Sequence, residues 1–442
     1  MQEIKKINLS LKYETVSLGE HLYIKGRIGW KGLKKDEYLD YGNYRIINAT
    51  ALEEDGINWN DCGYITKERF DESPEIILKE KDILISKDGT IGKLGYVKEL
   101  HVPSTVASGV FVVRNLNKEY IDTDFLYYYF KSPFFKWFIK SVTEGSVIPH
   151  LYQRDFIDME FNLFDLKVQK KCSTILNAIE EKININKRIN KNLLQIGQLI
   201  FNEYVLKKYE PENHNNWKVL PFGEISTVQN GFAFKSDDYC EVGCNMIRTK
   251  DITSLGFVSN ESLINLPQSF YDSEKYDNYK FERLDTITVM VGANIGKMGL
   301  ITDINIPSLQ NQNMWRFRPK SMNISPAFVY YYVKKINKEI INMATGSARL
   351  FYRKNLFLDY DCIIPNNNYL NKINIIFNSL FDKISENVAE IEKLQNLRDT
   401  LLPKLMSGEI DVSEVNCDLE LKYNYMKYLF NQIHTHLSKS VV

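Results

Sequence analysis

Long apolar runs are missing from this 442-residue chain, and no stretch approaches the roughly 18 unbroken apolar residues of a membrane-spanning helix. The opening stretch, MQEIKKINLS, lacks the apolar core of a signal peptide. A disulfide framework is also disfavoured, because the few cysteines are scattered along the chain: Cys62, Cys172, Cys240, Cys244, Cys362 and Cys417. We therefore expect a globular protein of a reducing cytoplasm.

Clusters of metal-binding side chains are scarce as well. Only Cys240 and Cys244 lie close together in the chain, and none of the six histidines is near them. Metal sites are built from several such ligands at short spacing. Buried or incidental thiols are therefore the simpler interpretation, and we expect no metal.

The chain has no excess charge of either sign, with 56 Lys and Arg against 56 Asp and Glu. Residues 1–165 carry 22 basic and 26 acidic side chains, and residues 210–366 carry 17 of each. Residues 166–209 are basic, with nine against three. A domain that binds nucleic acid alone is usually basic, because phosphate contacts dominate its affinity. Any binding of nucleic acid is therefore expected to be weak without partner subunits.

What the chain does contain is an internal repeat. The segment SKDGTIGKLGYV (86–97) is matched by MVGANIGKMGLI (290–301), and the aromatic run FLYYYF (125–130) by FVYYYV (328–333). Further matches join Gly19 to Gly223, Pro103-Ser104 to Pro307-Ser308, and Tyr152 to Tyr352. The pattern predicts a tandem duplication with a unit of about two hundred residues, hence two similar domains rather than a solenoid.

The first part of each unit has the pattern of an α+β domain. Short apolar runs such as DILIS (82–86), GVFVV (109–113) and DTITVMV (285–291) alternate with turn residues and predict strands linked by short helices.

The last forty or so residues of each unit predict a long helix instead. Apolar residues recur at alternating steps of three and four over 167–206, and again before the stop signal Ser407-Gly408. A helix with one apolar stripe must bury it, so we expect the two helices to pack as an antiparallel coiled-coil spacer. The predicted seam is Ile179, Ile183, Asn186, Leu193 and Ile200 in the first helix and Leu380, Ile384, Asn387, Ile391, Leu394 and Leu401 in the second. The two asparagines either select the register or mark a hydrated part of the seam.

Glycines around a lysine also occur in phosphate-binding P-loops, which need Gly, four residues, Gly-Lys and then Ser or Thr. Here an apolar residue, Leu94 or Met298, follows the lysine, so the magnesium-binding hydroxyl is missing from both copies. A glycine turn between two strands is the simpler interpretation. Lys93 and Lys297 remain candidates for contact with a phosphate of a larger ligand.

The tandem plan resembles the specificity subunit of type I restriction–modification enzymes. The segment LRDTLLPKLMSGEI (397–410) is similar to the end of that family's second helical region, and KVLPFGEISTVQNGFAFKS (218–236) to the start of its second recognition domain. The resemblance covers roughly residues 10–410 and implies the following division. Target recognition domains span 1–165 and 210–366, long spacer helices span 166–209 and 367–408, and 409–442 is an extension of unknown role.

The same resemblance implies a non-catalytic DNA reader that recruits two modification (methyltransferase) subunits and restriction (translocase and endonuclease) subunits. S-adenosylmethionine, ATP and magnesium would be bound by those partners and none by this chain. The sequence agrees, since it has no adjacent prolines for the Asn-Pro-Pro-aromatic loop of adenine methyltransferases and no Gly-x-Gly. The alternative is a two-headed coiled-coil scaffold that binds proteins. An excess of base contacts over phosphate contacts would distinguish a DNA reader from such a scaffold.

Basic or amide side chains in predicted loops are the candidates for contact with DNA. The glycine-rich stretch YIKGRIGWKGLKK (23–35) suits backbone contacts, and the residues after each Pro-Ser pair differ between copies, as readout residues should. The candidates are Lys25, Arg27, Lys31, Lys34, Lys93, Thr105, Ser108, His150 and Arg154 in the first domain and Lys235, Arg248, Lys250, Lys297, Gln310, Asn311, Gln312, Arg349 and Arg353 in the second.

Overall fold

The computed structural model describes residues 11–28, 32–53, 56–144, 150–209, 217–344, 353–413 and 415. By their internal contacts the residues form two compact units, 1–181 together with 395–442, and 182–394. Both predicted long helices are divided between these units, so the domain boundaries drawn from the repeat stay predictions. Within the described residues, no helix is long and apolar enough to cross a membrane.

The first unit is organised by a four-stranded antiparallel sheet. Its order is Leu22–Gly26, Val110–Asn115, Ile83–Ser86 and Leu94–Tyr96. The second of these strands is almost wholly buried, which explains its continuous apolar run. The other strands are Gly63–Ile65, Tyr44–Ile47 and Ser104–Val106 in one sheet, Glu14–Ser17 with Glu160–Leu163, and Leu52–Glu53 with Gly56–Ile57.

The second unit repeats this topology. Its four-stranded sheet has the order Ser226–Asn230, Met314–Pro319, Thr286–Val289 and Met298–Leu300. Its remaining strands are Ile264–Leu266, Cys244–Ile247 and Ser308–Gln310 in one sheet, and Lys218–Pro221 with Asp361–Ile364. Each three-stranded sheet contains one parallel pair, at matching places in the two units. The predicted α+β duplication is confirmed.

The helices that carry the aromatic runs differ between the units. In the first unit the run lies on Thr123–Lys131, and a separate helix, Pro133–Thr143, follows it. Pro133 has no amide hydrogen to continue a helix but is suited to the first position of a new one. In the second unit a single helix, Pro326–Ala344, spans the corresponding length. The shorter helices are Lys67–Asp71, Phe222–Ile225, Gln268–Asp272 and Lys354–Leu358.

The two long helices form at the predicted places. The first is Leu166–Phe201, continued by a π-helical turn, Asn202–Leu206. The second is Asn367–Ser407, which ends where Gly408 adopts a φ of +74°. It accommodates Pro403 in its last turns, so the proline does not end it.

Within the second unit the long helices pack side by side and antiparallel. The Asn186 Nδ2 donates to the Glu390 Oε2 at 2.8 Å, and the Asn387 Nδ2 to the Asn190 Oδ1 at 2.8 Å. A higher residue number on the first helix thus meets a lower one on the second. Phe201 and Ile384 belong to one buried hydrophobic core. The two seam asparagines are therefore buried and bonded to side chains of the facing helix.

Within the first unit the same two helices again contact each other. Glu180 accepts from Arg398 at 3.1 Å and from Lys131 at 2.9 Å. Burial alone would raise the pKa of Glu180, but the two cations more than offset this and hold that pKa below its ordinary value. Over both units, the predicted seam is buried at Ile179, Ile183, Asn186, Ile384, Asn387, Leu394 and Leu401 and partly buried at Leu193, Ile200, Leu380 and Ile391.

A candidate nucleic-acid interface

The repeated Ile-Gly-Lys segment is a hairpin turn in both units. In the first it joins Ile83–Ser86 to Leu94–Tyr96, and in the second Thr286–Val289 to Met298–Leu300. The turns need residues with positive φ, which glycine adopts without strain: +67° and +83° at Gly89 and Gly92, and +91° and +82° at Gly292 and Gly296. The glycine-turn interpretation is confirmed, and the turns present their lysines near the surface.

The two turn lysines have different surroundings. The Lys297 ammonium donates to the backbone carbonyl of Ile252 at 2.5 Å. Lys93 is half-buried, and among the described residues its ammonium has no hydrogen-bond or ion-pair partner. An ammonium without a protein partner is the better candidate for a phosphate, because it gives up no existing bond on binding.

In the first unit a short surface segment lies against this turn. The Leu151 amide donates to the Lys87 carbonyl at 3.1 Å, and the His150 ring is hydrogen-bonded to the Asp88 carboxylate. The exposed Tyr152 ring has the His150 ring 4.5 Å away and the Arg154 guanidinium 4.8 Å away. The predicted residues His150 and Arg154 therefore both lie against the Tyr152 ring beside the turn.

In the second unit one candidate side chain is held in an ion pair, and several others are exposed or half-buried. Arg248 forms a two-point pair with the buried Asp251 carboxylate, at 3.0 and 2.9 Å, so part of its donor capacity is occupied. Lys235, Lys250 and Gln312 are exposed, and Asn311 is half-buried. Arg353 is exposed at the rim of a cavity of about 740 Å³ beside Lys354–Leu358.

Three predicted candidates are placed inside the fold. Thr105 is fully buried and donates to the Ile76 carbonyl, while the Gln310 side chain is fully buried and donates to the carbonyls of Gln229 and Met314. Arg27 is buried against Ser73, and burial lowers the pKa of its guanidinium. These side chains do not reach the surface that a base would touch, so we withdraw them as contacts and assign them to the core.

The remaining candidates are at or near the surface, or outside the described residues. Lys34 is exposed, Ser108 is half-buried, and Lys25 is half-buried with its ammonium 6.0 Å from the Tyr23 ring. Lys31 and Arg349 lie outside the described residues. Contact of these residues with DNA stays a prediction.

A pair of buried Asp–Arg forks was missed by the sequence analysis. The Arg114 guanidinium donates two hydrogen bonds to the Asp82 carboxylate, both at 2.7 Å. Arg318 likewise donates two to Asp285, at 2.8 and 2.6 Å. In both units the aspartate precedes a sheet strand and the arginine lies on the neighbouring strand. The repeat alignment contained the signal, since both residues recur about two hundred positions apart. These arginines hold the sheet rather than a ligand.

The helix Pro133–Thr143 was also not singled out from the sequence. It exposes Trp137, Lys136 and Lys140, while Phe135 is buried. The run PFFKWFIKSVT contains the signal, because a helical period puts these exposed residues on one side and Phe135 and Phe138 on another.

Comparison with known proteins identifies the family. The family described as "Type I restriction modification DNA specificity domain" matches residues 11–195 and again 214–396. The type I restriction enzyme MjaVIII specificity subunit of Methanocaldococcus jannaschii is 25% identical over 439 residues, covering 94% of this chain and 97% of that protein. The MjaIX specificity subunit of the same organism is 25% identical over 435 residues, covering 94% of each.

A solved structure shares the fold. The type I restriction–modification S subunit from M. genitalium superposes with a TM-score of 0.53 at 17% identity, covering 90% of this chain and 97% of that one. At this identity the likeness supports the α+β architecture with its long helices and says nothing about individual contacts.

Proposed function

The chain belongs to the type I restriction–modification DNA specificity family, and we propose that each of its two recognition domains reads one half of a split DNA target. It is a non-catalytic specificity subunit. The observation that carries the proposal is the double family match, over two units with the same order of strands. Two related readers on one chain can address two separated stretches of sequence.

We further propose that this subunit works inside an assembly. It recruits two modification subunits, which bind S-adenosylmethionine and methylate adenine, and restriction subunits, which use ATP and magnesium. The near-neutral charge of both predicted recognition domains supports the need for partners, because the chain offers phosphates no net excess of cations on its own.

The division of labour among side chains follows their surroundings. We assign Lys93, Arg154 and Lys235 to phosphate contacts, which fix position without reading sequence. Gln312 and Asn311 are assigned to base contacts in the second half-site, because amides bond adenine at two points. Arg353 is a further candidate for the second half-site.

Methylation mapping tests the proposed function. The chain is co-produced with a type I modification methyltransferase in a host that lacks adenine methylation, and methylated positions are read across the genome. We expect methylation only when both proteins are present, at a motif of two short sequences with a fixed gap. The methyltransferase produced alone is the control. Methylation independent of this chain, or a single uninterrupted motif, would contradict the proposal.

Direct binding separates a DNA reader from a protein scaffold. DNA binding is measured for the chain alone and with the methyltransferase, on a duplex carrying the mapped motif and on a scrambled duplex. We expect weak binding alone and motif-dependent binding with the partner. A complex that forms with the partner but never distinguishes the two duplexes would favour the scaffold.

A further inference from the structure

The helix Pro133–Thr143 of the first unit displays a tryptophan on the surface. The Trp137 side chain is 72% exposed, and Phe134 on the same helix is 40% exposed. The helix is anchored from its other side, where Phe135 is buried and the Phe138 ring lies 6.0 Å from that of Phe156. An aromatic side chain held out on a fixed helix carries a large apolar area with little freedom to lose on binding, as at many binding sites.

Two lysines lie beside Trp137 on its helix, and Glu144 follows directly after the helix. Lys136 and Lys140 are both exposed, and the helix contains no acidic residue. The two lysines are four residues apart and so lie on one face, where like charges weaken the helix. Trp137 and Lys140, three apart, are also neighbours on that face. Within the described residues neither lysine has an ion-pair partner, and two such cations beside an exposed ring fit a polyanion that also carries stacking surfaces.

The helix packs against the turn that bears Lys93. Gly92 lies so close to this helix that a Cβ on it would come within 2.5 Å of the Ile139 Cδ1. The cluster of His150, Tyr152 and Arg154 also borders this turn, through the bond from Leu151 to Lys87. The helix that carries the exposed tryptophan and its lysines thus borders the candidate interface of this unit.

We propose that Trp137 inserts into a groove of the first half-site and stacks against a base step, while Lys136 and Lys140 bind the flanking phosphates. The inference rests on the proposed function and adds a deformation of the DNA to it, since apolar side chains that enter a base step partly unstack it and bend the duplex. We commit to duplex DNA rather than an acidic protein as the ligand, because the helix that carries the ring and its lysines packs against the turn with the phosphate candidate Lys93.

The second unit has no equivalent of this residue. Aligning the aromatic runs places Ile340 opposite Trp137, and Ile340 is buried in the core of the second unit. The deformation is therefore expected in one half-site only. This asymmetry gives the inference a signature that a general loss of affinity would not produce.

The experiment uses the full chain assembled with its methyltransferase partner and duplexes carrying the mapped motif. 2-Aminopurine, whose fluorescence rises when it unstacks, replaces one adenine in either half-site. With the natural chain we expect a rise in the first half-site and none in the second. Trp137→Ala should abolish the rise and weaken binding by roughly 5- to 100-fold, the range for a lost base–aromatic stack.

Three further variants sharpen the test. Trp137→Phe should retain part of the signal, since it keeps a ring. Tyr41→Ala removes a ring that is 85% exposed next to Asp40 and should change nothing. Lys136→Ala combined with Lys140→Ala should lower the slope of log affinity against log salt by about 2, because each phosphate contact contributes roughly 0.9.

Each failure has its own meaning. If the natural complex does not prefer the mapped motif over a scrambled duplex, the proposed function is wrong. If the complex prefers the mapped motif but Trp137→Ala leaves affinity and 2-aminopurine fluorescence unchanged, the proposal that Trp137 inserts into the DNA is wrong. If Trp137→Ala instead prevents assembly with the methyltransferase in the absence of DNA, the surface binds protein, and the inference is likewise overturned.

Discussion

Gln310 and Gln312 stand two positions apart in the chain and have opposite surroundings. Gln310 is the last residue of a strand, and its side-chain amide donates hydrogen bonds to two backbone carbonyls inside the second unit. Gln312 lies just beyond the strand and is exposed. Two chemically identical side chains thus have different roles, one in the core and one at the surface. The difference arises because the strand ends between them.

Alanine substitution should separate these two roles. Gln312→Ala should relax recognition of the second half-site, at about 1–3 kcal/mol if a two-point contact to adenine is lost. Gln310→Ala should leave specificity unchanged and lower the free energy of unfolding by about 1–3 kcal/mol, because backbone carbonyls lose a buried donor. Binding to duplexes altered in one half at a time, together with urea unfolding, measures both. Equal loss at both halves for Gln312→Ala would contradict the assignment.

The turn lysines give a second prediction at this scale. Lys93→Ala should weaken binding to all sequences alike and reduce the salt slope by about 0.9, the value for one phosphate. Lys297→Ala should reduce it less, because its ammonium already donates to the Ile252 carbonyl. Affinity measured between low and moderate salt supplies the slopes. A change in which motif is methylated would show that Lys93 reads bases.

At the scale of the element, the paired helices carry a polar layer between apolar ones. Asn387 bonds Asn190, and the Asn190 Nδ2 has no partner among the described residues. We predict that Asn387→Leu alone lowers the free energy of unfolding by about 1–3 kcal/mol, since it leaves a buried amide unpaired. Adding Asn190→Leu should recover most of the loss, because an apolar pair then replaces a polar one. Urea unfolding of the single and double variants decides, and a double variant less stable than either single one would contradict the prediction.

The Glu180 ion pairs make helix pairing in the first unit sensitive to acid. A carboxyl whose pKa is lowered on folding contributes stability above its ordinary pKa of about 4.3, and loses it as the pH falls through the lower folded value. The stability difference between the natural chain and Glu180→Gln should therefore be full near neutral pH and shrink below about pH 4.3. Glu181→Gln, at an exposed neighbouring position, is the matched control. A difference independent of pH would show that charge is not the cause.

Secondary-structure elements were predicted well from the sequence where the apolar periodicity is strong. They were predicted poorly where packing against other parts of the fold determines where an element ends. The strand predictions at 82–86 and 285–291 correspond to Ile83–Ser86 and Thr286–Val289, and the heptad pattern located both long helices. The break before Pro133 was not predicted, because the aromatic runs of the two copies look alike. The burial of Gln310 was missed for a related reason, since Leu-Gln-Asn-Gln-Asn carries no signal for where pairing with a neighbouring strand stops.

At the scale of the molecule, a single repeat unit retains an apolar helix seam without its partner. We predict that a fragment of residues 1–209 forms a homodimer, because a second copy is the simplest cover for Ile179, Ile183, Leu193 and Ile200. The basic helix opposes self-pairing, so dimerisation should strengthen at moderate salt, where like charges are screened.

Sedimentation equilibrium of the fragment over a range of salt concentrations measures this directly. Ile179→Asp combined with Ile183→Asp should give a monomer, as a control for pairing through the seam. With the methyltransferase, the dimeric fragment should direct methylation to a palindrome of the first half-site. A soluble monomer at every salt concentration would contradict the paired-helix interpretation.

The Ile-Gly-Lys turns of the two units differ in their lysines, and this difference bears on how DNA associates with the protein and dissociates from it. The first turn carries Lys87 and Lys93, whereas the second has Val291 at the place of Lys87, and its Lys297 is held by a carbonyl. Encounter rates respond to accessible charge, while the lifetime of a complex depends on short-range contacts. We therefore expect Lys93 in the first domain to contribute more to the rate of association than Lys297, and the amides of the second domain to delay release. Searching and verifying a site would then be divided between two copies of one fold.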